Sequence, residues 1–171
     1  EEQQLFRQLS VFQGPFSLPA ARSVAGLEAP PDERFDDLEL MLGSLHNKSF
    51  LLRHVSFEGE PQFRMLETIR DFGMEQAHIA GELPRLRLRH LRYYAERLGP
   101  MEVELAGPQQ ALWVRRIDET YANLPFAMQA ALEFGGDARV HGVMLASSLW
   151  RYWMVRGQFS VAERWLRRMT E

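Results

Sequence analysis

The stretch SFLLRHVSFEGEPQFRM spans residues 49–65 and decides the fold of the first part of the chain. Residues 49–55 are rich in bulky apolar side chains, and residues 62–65 alternate polar with apolar side chains, as β-strands do. Between them, residues 58–61 read Glu-Gly-Glu-Pro, which is typical of a turn. The pattern therefore predicts a short β-hairpin.

Helical patterns surround this hairpin on both sides. Three segments before it repeat apolar residues at helical spacing: residues 5–12, residues 18–25 and a segment that ends at Leu45. Ser17 is a suitable N-cap for the second helix, and Asp32 or Asp36 for the third. Residues 66–80 return to the helical period. Three helices, a hairpin and a further helix are the components of a winged helix, which is the fold that we predict.

After residue 81 the sequence predicts only helices. One apolar stripe extends along a helix that Gly99 and Pro100 end; it consists of Leu83, Leu86, Leu91, Tyr94 and Leu98. Asn123 and Asp137 are suitable N-caps for two later helices. We therefore expect a mainly α protein.

The last two predicted helices, separated by Gly157, resemble a tetratricopeptide repeat (TPR). The positions that match are Leu149, Trp153, Gly157, Phe159, Ala162 and Leu166. Trp150 stands where that repeat needs a small residue, so the match predicts a TPR-like array rather than a consensus repeat. A plain helical hairpin with a glycine turn remains the alternative.

Large aromatic residues concentrate in the same part of the chain. They are Trp113, Trp150, Tyr152, Trp153, Phe159 and Trp165. Packing between helices is the favoured role for most of them, and an exposed binding patch is the alternative.

Net charge divides the chain at Gly81. Residues 1–81 hold 13 acidic and 7 basic side chains, whereas residues 82–171 hold 10 acidic and 13 basic side chains. The helical pattern also breaks at this glycine. We therefore predict a winged-helix domain over residues 1–81 and an incomplete α-helical, TPR-like domain over residues 82–171.

The composition also indicates where the protein resides. The chain has no cysteine, which excludes disulfides and thiolate metal sites and fits a reducing cytoplasm. The start, Glu1-Glu2-Gln3-Gln4, is the opposite of a basic, apolar signal peptide, and no apolar run approaches the length of a membrane span. We expect a cytoplasmic protein without membrane contact, and the absence of an initiator Met predicts that it is part of a longer one.

Catalytic and cofactor motifs are missing from the sequence. Lys48 is the only lysine, and no glycine precedes it at the spacing of a phosphate-binding P-loop. The five histidines (His46, His54, His78, His90 and His141) show no ligand spacing, so we expect surface or edge histidines and no metal site. The sequence predicts a chain that is not an enzyme, with no catalytic residue and no bound cofactor.

The third predicted helix is acidic, although a DNA-reading winged helix needs positive charge there. Residues 32–46 carry five acidic side chains against one base; the acids are Asp32, Glu33, Asp36, Asp37 and Glu39, and the base is Arg34. Glu58 and Glu60 make the wing tip acidic as well. Like charges repel, so this pattern disfavours direct DNA binding by the fragment.

A basic stretch lies outside the predicted winged helix. It consists of Arg85, Arg87, Arg89, His90 and Arg92. A helix face in contact with an acidic neighbour is the favoured interpretation, and nucleic-acid contact is the alternative.

Several segments together resemble the region after the ATPase domain in bacterial STAND-class regulators of the AfsR, LuxR and MalT types. The resemblance spans nearly the whole chain. The segments that carry it are residues 5–14, 45–51, 63–72, 89–94, Trp113, Asn123-Leu124, 149–153 and Arg156-Gly157.

This resemblance implies a regulatory role within a larger protein. In such proteins an upstream domain binds ATP or ADP, the winged helix packs back onto it, and a helical region senses a protein or small-molecule inducer. A Met-His-Asp motif opens the last helix of related winged helices and contacts ADP through its His. Met65, Leu66 and Glu67 occupy that position without the His, so we do not expect a nucleotide contact, and we expect Leu66 to be buried.

Two functions follow as hypotheses. The first is a non-catalytic interaction module of a STAND-type ATPase transcriptional regulator, which couples the nucleotide state of an upstream domain to a helical sensor. The alternative is an autonomous winged-helix DNA-binding protein with a helical dimerisation domain.

Overall fold

The computed structural model describes residues 1–27 and 31–171, and it describes side chains for residues 1–27 and 37–171. The chain divides into two compact units, residues 1–90 and residues 91–171. The first unit contains α1 (Glu2–Leu9), β1 (Phe16–Ser17), α2 (Leu18–Ala25), α3 (Pro31–Asn47), β2 (Leu51–Val55), β3 (Pro61–Met65) and α4 (Glu67–Ile79), and α5 (Leu83–Leu98) begins in it.

The predicted hairpin forms, and the structure adds a strand that the sequence did not predict. β2 and β3 pair antiparallel, with Leu51 opposite Met65, and β1 pairs with the other edge of β3, with Phe16 opposite Phe63. The strand order is β1-β3-β2. Because β1 has two residues, it is too short to show an alternating pattern, and only its pairing with β3 defines it.

The first core is built on a cluster of aromatic rings. Phe12 and Phe16 are both fully buried, and their rings stack with centroids 4.3 Å apart. Phe63 of β3 lies against Phe16 at 6.1 Å, and His90 meets the Phe12 ring edge-on at 5.2 Å. The loop between α1 and α2 thus joins the helices to the sheet.

Ser17 caps α2 as the sequence predicts, because its Oγ accepts a hydrogen bond from the backbone N–H of Ala20 at 3.4 Å. We expect Ser17→Ala to lower the free energy of unfolding by about 1 kcal/mol, since the N–H loses its partner. Urea unfolding followed by far-ultraviolet circular dichroism measures the change. Ser17→Asp keeps an acceptor and should preserve stability; an equal loss in both variants would contradict the capping role.

The second unit consists of helices in the part of the chain that the structure describes. They are the end of α5, α6 (Met101–Glu104), α7 (Gln110–Thr120), α8 (Leu124–Phe134), α9 (Gly136–Val155) and α10 (Phe159–Thr170), with a 3-10 turn over Tyr121–Asn123. α9 packs against α8 and α10. Gly142 makes this possible, because a Cβ there would lie 2.3 Å from Cβ of Ala131 and 2.9 Å from Sδ of Met169.

The two N-caps predicted in this unit have different outcomes. Asn123 occupies the N-cap position of α8 as predicted, although it is buried at the end of the 3-10 turn and its side chain makes no capping hydrogen bond, whereas the prediction for Asp137 is wrong. Asp137 lies within the first turn of α9, which begins one residue earlier, after Gly135. Local propensity cannot separate a cap from its neighbours when a glycine with positive φ (64° at Gly135) sets the start of a helix.

The predicted fold class is confirmed: a winged helix with a small sheet is followed by helices. The domain boundary predicted at Gly81 falls between α4 and α5, and the division into compact units falls inside α5, so the domain assignment stays a prediction. The TPR-like arrangement also stays a prediction. In the described part of the chain no helix is both long and apolar enough to span a bilayer.

Candidate functional site

The residues at the Met-His-Asp position lie where β3 passes into α4. Met65 is buried at the end of the strand, while Glu67 is exposed and its carboxylate lies 3.7 Å from Arg70 Nη2. Leu66 is 46% exposed, so the expectation that it is buried is wrong. It is the N-cap of α4 with an extended backbone (φ -65°, ψ 147°), and its side chain leaves the sheet where the chain turns into the helix.

The helix that would read DNA is α3, which follows α2 in the order of a helix-turn-helix. Its described inner face, with Leu38, Leu42 and Leu45, is fully buried. On its outer face Asp37 and Glu39 are exposed. The prediction of an acidic third helix also rests on four charged residues whose side chains the structure does not describe: Asp32, Glu33, Arg34 and Asp36. The N-caps predicted at Asp32 and Asp36 therefore also lie outside the described side chains.

Ser56, the residue that follows β2, stabilises the turn of the wing through hydrogen bonds. Its Oγ accepts hydrogen bonds from the backbone N–H groups of Glu58 (3.3 Å) and Glu60 (3.0 Å), and its own N–H donates to the carbonyl of Glu60 at 2.8 Å. Both glutamates are exposed, as predicted, while the strands carry exposed cations at Arg53 and Arg64. The wing therefore has acids at its tip and arginines along its strands.

The basic stretch on α5 does not form one exposed cationic face. Arg85 is exposed, but Arg89 lies over Gly26 and donates to the carbonyl of Val24 at 3.4 Å, at the C-terminal end of α2. Arg92 pairs with Glu96 on its own helix at 2.8 Å. The predicted contact of Arg89 with a neighbour exists, although its acceptor is a backbone carbonyl at a helix C-terminus, where partial negative charge accumulates, rather than an acidic side chain.

One histidine differs from the expectation of surface or edge positions. His90 is fully buried beside Phe12. His46 and His78 are exposed, and His141 is half-buried with its Nδ1 2.9 Å from the carbonyl of Asp137. Among the described residues no three acidic or histidine side chains converge in a way that could hold a metal ion.

Sequence reasoning missed an apolar groove between α1 and α4. Three rings define it: Phe6 of α1, Phe50 before β2 and Phe72 of α4, with centroids 5.3 Å apart for Phe6–Phe50 and 6.2 Å for Phe6–Phe72. Leu45 and Ile69 complete the apolar lining, and the cavity measures about 460 Å³. We call this set the aromatic groove.

Two ion pairs involve cations that line the aromatic groove. Lys48 Nζ lies 2.5 Å from Glu2 Oε2, and Arg7 donates two hydrogen bonds to the Glu82 carboxylate at 2.9 and 3.0 Å. The hydrogen bond from Lys48 lowers the pKa of Glu2, and the hydrogen bond from Arg7 lowers the pKa of Glu82. Both cations are thus matched within the chain.

One feature of the sequence, the position of Phe72 on α4, could have indicated this groove. Phe72 follows the helical period of α4 but falls beside the buried face of that helix, which contains Gly73 and Ala77. A large ring at the edge of a buried face is a candidate for a groove wall, but only the tertiary structure brings it to Phe6 and Phe50.

The aromatic residues of the second unit divide into buried and exposed sets. Tyr152, Trp153 and Trp165 are buried, in line with the packing role predicted for most of them, whereas Trp150 is 37% exposed and Phe159 is exposed. Trp153 Nε1 donates to the Tyr121 hydroxyl at 3.0 Å.

Asp118 of α7 connects to the end of α9 through a second polar cluster. Its carboxylate accepts from the Tyr152 hydroxyl at 2.9 Å and from Arg156 Nε at 3.1 Å. Burial, with a smaller contribution from Tyr121, raises the pKa of Tyr152 to about 12. This cluster joins helices within the second unit, which indicates a role in stabilising that unit.

Comparison with known proteins shows one family match and several similar proteins. Residues 1–78 match the family described as the winged helix-turn-helix domain. Over 171 residues, 99% of the chain, the sequence is 30% identical to proteins of Mycobacterium bovis and of two strains of Mycobacterium tuberculosis. Each is provisionally named an HTH-type transcriptional regulator.

The chain spans 18% of the length of each of these relatives. No solved structure matches it. The element order α1-β1-α2-α3-β2-β3 and the family match together show that residues 1–78 have a winged-helix fold, which helices follow in the chain.

Proposed function

We propose that this chain is a non-catalytic regulatory segment of a bacterial transcriptional regulator, and that its winged helix contacts protein rather than DNA. The similarity to mycobacterial HTH-type regulators over 99% of the chain supports the regulatory role. The acidic α3 carries the second part of the proposal. Asp37 and Glu39 are exposed on the helix that would enter the major groove, where phosphates repel carboxylates.

The finer proposal concerns the rest of the parent protein. The resemblance to STAND-class regulators supports an upstream ATPase domain that binds ATP or ADP and contacts the winged helix. The helical unit then senses a protein or a small inducer, and the parent works in the cytoplasm. Leu66 offers no hydrogen bond to a phosphate, so calorimetry of this chain with ATP or ADP should detect no tight binding; tight binding would contradict this role for the winged helix.

Direct DNA binding is the second candidate function, and two findings favour it. The family match is to a helix-turn-helix domain, and the relatives are named as HTH-type regulators. These findings support DNA binding at least as well as they support the nucleotide-switch role. The names, however, describe proteins of which the aligned region is 18%, so they do not assign DNA contact to that region. Exposed Arg53 and Arg64 on the wing strands would serve this function.

A mobility-shift experiment with mixed-sequence duplex DNA separates the two candidates. We expect no shift at about 50 mM salt, because the acidic α3 opposes the phosphates. Asp37→Asn combined with Glu39→Gln should then increase DNA affinity, whereas the matched change Glu102→Gln, on α6 of the second unit, should not. A shift by the unaltered chain that weakens steeply between about 50 and 200 mM salt would overturn the protein-contact role and support DNA binding.

A further inference from the structure

We propose that the aromatic groove is a docking site for a basic amphipathic helix of a partner protein. Neither the exposed acids Asp37 and Glu39 nor the wing residues 56–60 are among the residues that line the groove, and the proposal goes beyond the proposed function. The groove does not depend on whether the winged helix contacts DNA. Three features of the described residues carry the proposal. They are the exposed aromatic rings, the shape of the groove and the acidic side chains on the α4 side of the groove.

The exposed rings indicate an interface rather than an ordinary surface. Phe72 is 54% exposed and Phe50 is 36% exposed, and both lie against the half-buried Phe6. Single exposed apolar residues are common on proteins, but a contiguous aromatic cluster marks a binding surface. Aromatic side chains also supply a large share of the binding energy of protein interfaces.

The position of Phe6 is set by close packing of α1 on α4. A Cβ at Gly73 would lie 2.8 Å from Cβ of Ser10 and 3.3 Å from Cε1 of Phe6, so only glycine lets the helices approach this closely. The ring of Phe6 therefore lies directly on the α4 backbone at the floor of the groove, with Leu45 fully buried beneath it. The floor is fixed, as a preformed site requires.

The shape of the groove fits a helix. Side chains of α1 and α4 form most of its lining, and Leu45 of α3 and the segment before β2 complete it. Its cavity of about 460 Å³ lies within the range of ligand-binding clefts, roughly 300–1,000 Å³. Grooves between helices typically accept the apolar face of an amphipathic helix, which inserts anchors spaced three, four and seven residues apart.

The charge beside the groove selects a basic partner. Glu67, Asp71 and Glu75 are exposed on α4 at intervals of four residues, so they form one acidic ridge next to the ridge that holds Phe72 and Gln76. Arg70, the single arginine of α4, lies near both Glu67 and Asp71, at 3.7 and 2.9 Å, so this helix keeps a net charge of -2.

The two cations that line the groove, Lys48 and Arg7, do not neutralise the acidic ridge of α4. Lys48 is paired with Glu2, and Arg7 is paired with Glu82. A helix with lysine or arginine beside its apolar anchors would therefore meet the net negative charge of α4 on that side of the groove. Electrostatic complementarity of this kind sets specificity and speeds association.

The test uses the full chain and a fluorescein-labelled synthetic helix. The probe carries leucines at positions i, i+3 and i+7 and lysines on one flank, and a second probe has the same leucines with glutamates in place of the lysines. Fluorescence anisotropy should show saturable binding of the lysine probe and weaker binding of the glutamate probe. Phe72→Ala should weaken the lysine probe about tenfold or more, because an aromatic anchor is lost.

Ile79→Ala is the matched control, since Ile79 is a 70% exposed apolar residue of the same helix and does not line the groove. It should change affinity by less than about twofold. Glu75→Lys should weaken the lysine probe and strengthen the glutamate probe. Nitrogen–proton correlation spectra of the unaltered chain should show the largest shifts at Phe6, Phe50 and Phe72 when the lysine probe is added, which does not require any variant to fold.

Three results would overturn the proposal. The first is equal binding of the two probes, which would indicate apolar adhesion without charge selection. The second is an equal loss of affinity in Phe72→Ala and Ile79→Ala. The third is a dimer in sedimentation experiments that Phe72→Ala converts to monomer, because the occupant of the groove would then be a second copy of this chain.

Discussion

Trp153→Ala is expected to lower the free energy of unfolding of the second unit by about 3–5 kcal/mol. Trp153 is completely buried in α9, so truncation leaves a large cavity that neighbouring helices fill only in part. Its Nε1 also donates to the Tyr121 hydroxyl at 3.0 Å, and that contact to the 3-10 turn is lost. Domains of this size are stabilised by only about 5–15 kcal/mol, so the variant should lose a large part of its structure at 37 °C.

Trp150→Ala, three residues earlier in the same helix, is the control for this result. Trp150 is exposed to solvent and lies 6.0 Å from the guanidinium of Arg151, an arrangement that contributes about 0.5–1 kcal/mol at exposed sites. We expect a loss of about 1 kcal/mol or less. Urea unfolding followed by circular dichroism compares the two variants, and similar losses in both would contradict the burial of Trp153.

Phe12→Ala is expected to have a comparable effect on the first unit, about 3–5 kcal/mol. The Phe12 ring is buried and stacks on Phe16 at 4.3 Å, with His90 against its edge at 5.2 Å. Removal of this ring takes a side chain out of the junction between α1, the sheet and the start of α5. Aromatic pairs of this kind add about 0.5–1.5 kcal/mol beyond the burial of their area.

The measurement must report on the first unit alone. All four tryptophans (Trp113, Trp150, Trp153 and Trp165) lie in residues 91–171, so tryptophan fluorescence follows only the second unit. Hydrogen exchange of backbone amides in α1, α2 and β3 reports on the first. Phe57→Ala, at an exposed position of the wing, serves as the control and should leave exchange in these elements nearly unchanged. Unchanged exchange in Phe12→Ala would contradict the position of Phe12 in the core.

The winged helix offers two surfaces of different character. Asp37 and Glu39 are exposed acids on α3, which in our proposal disfavour DNA, whereas Phe6, Phe50 and Phe72 form the aromatic groove, which in our proposal binds a helix of a partner protein. The exposed acids of α3 do not disturb the fold, because Leu38, Leu42 and Leu45 support the core from the buried face of the same helix. The fold alone therefore does not decide whether this domain contacts DNA.

Local signals in the sequence predicted most of the secondary structure. The hairpin of residues 49–65 and the N-cap at Ser17 were predicted because turn residues and capping hydroxyls act on neighbours within a few positions. The positions of Leu66 and Trp150 were not, because exposure depends on which elements lie nearby. Trp150 and Trp153 are close together on one helix, yet only Trp153 points to the packed side.

The sequence by itself determined the fold class, the order of the longer helices and of the hairpin, the lack of a P-loop motif and the acidity of α3, since each of these depends on residue types and short spacings. Only the tertiary structure decided the third strand, the full burial of His90 and the aromatic groove. β1 exists only through its pairing with β3, and the groove needs Phe6, Phe50 and Phe72 from segments more than 20 residues apart to meet. Contacts between distant segments depend on packing geometry, and no local pattern in the sequence encodes that geometry.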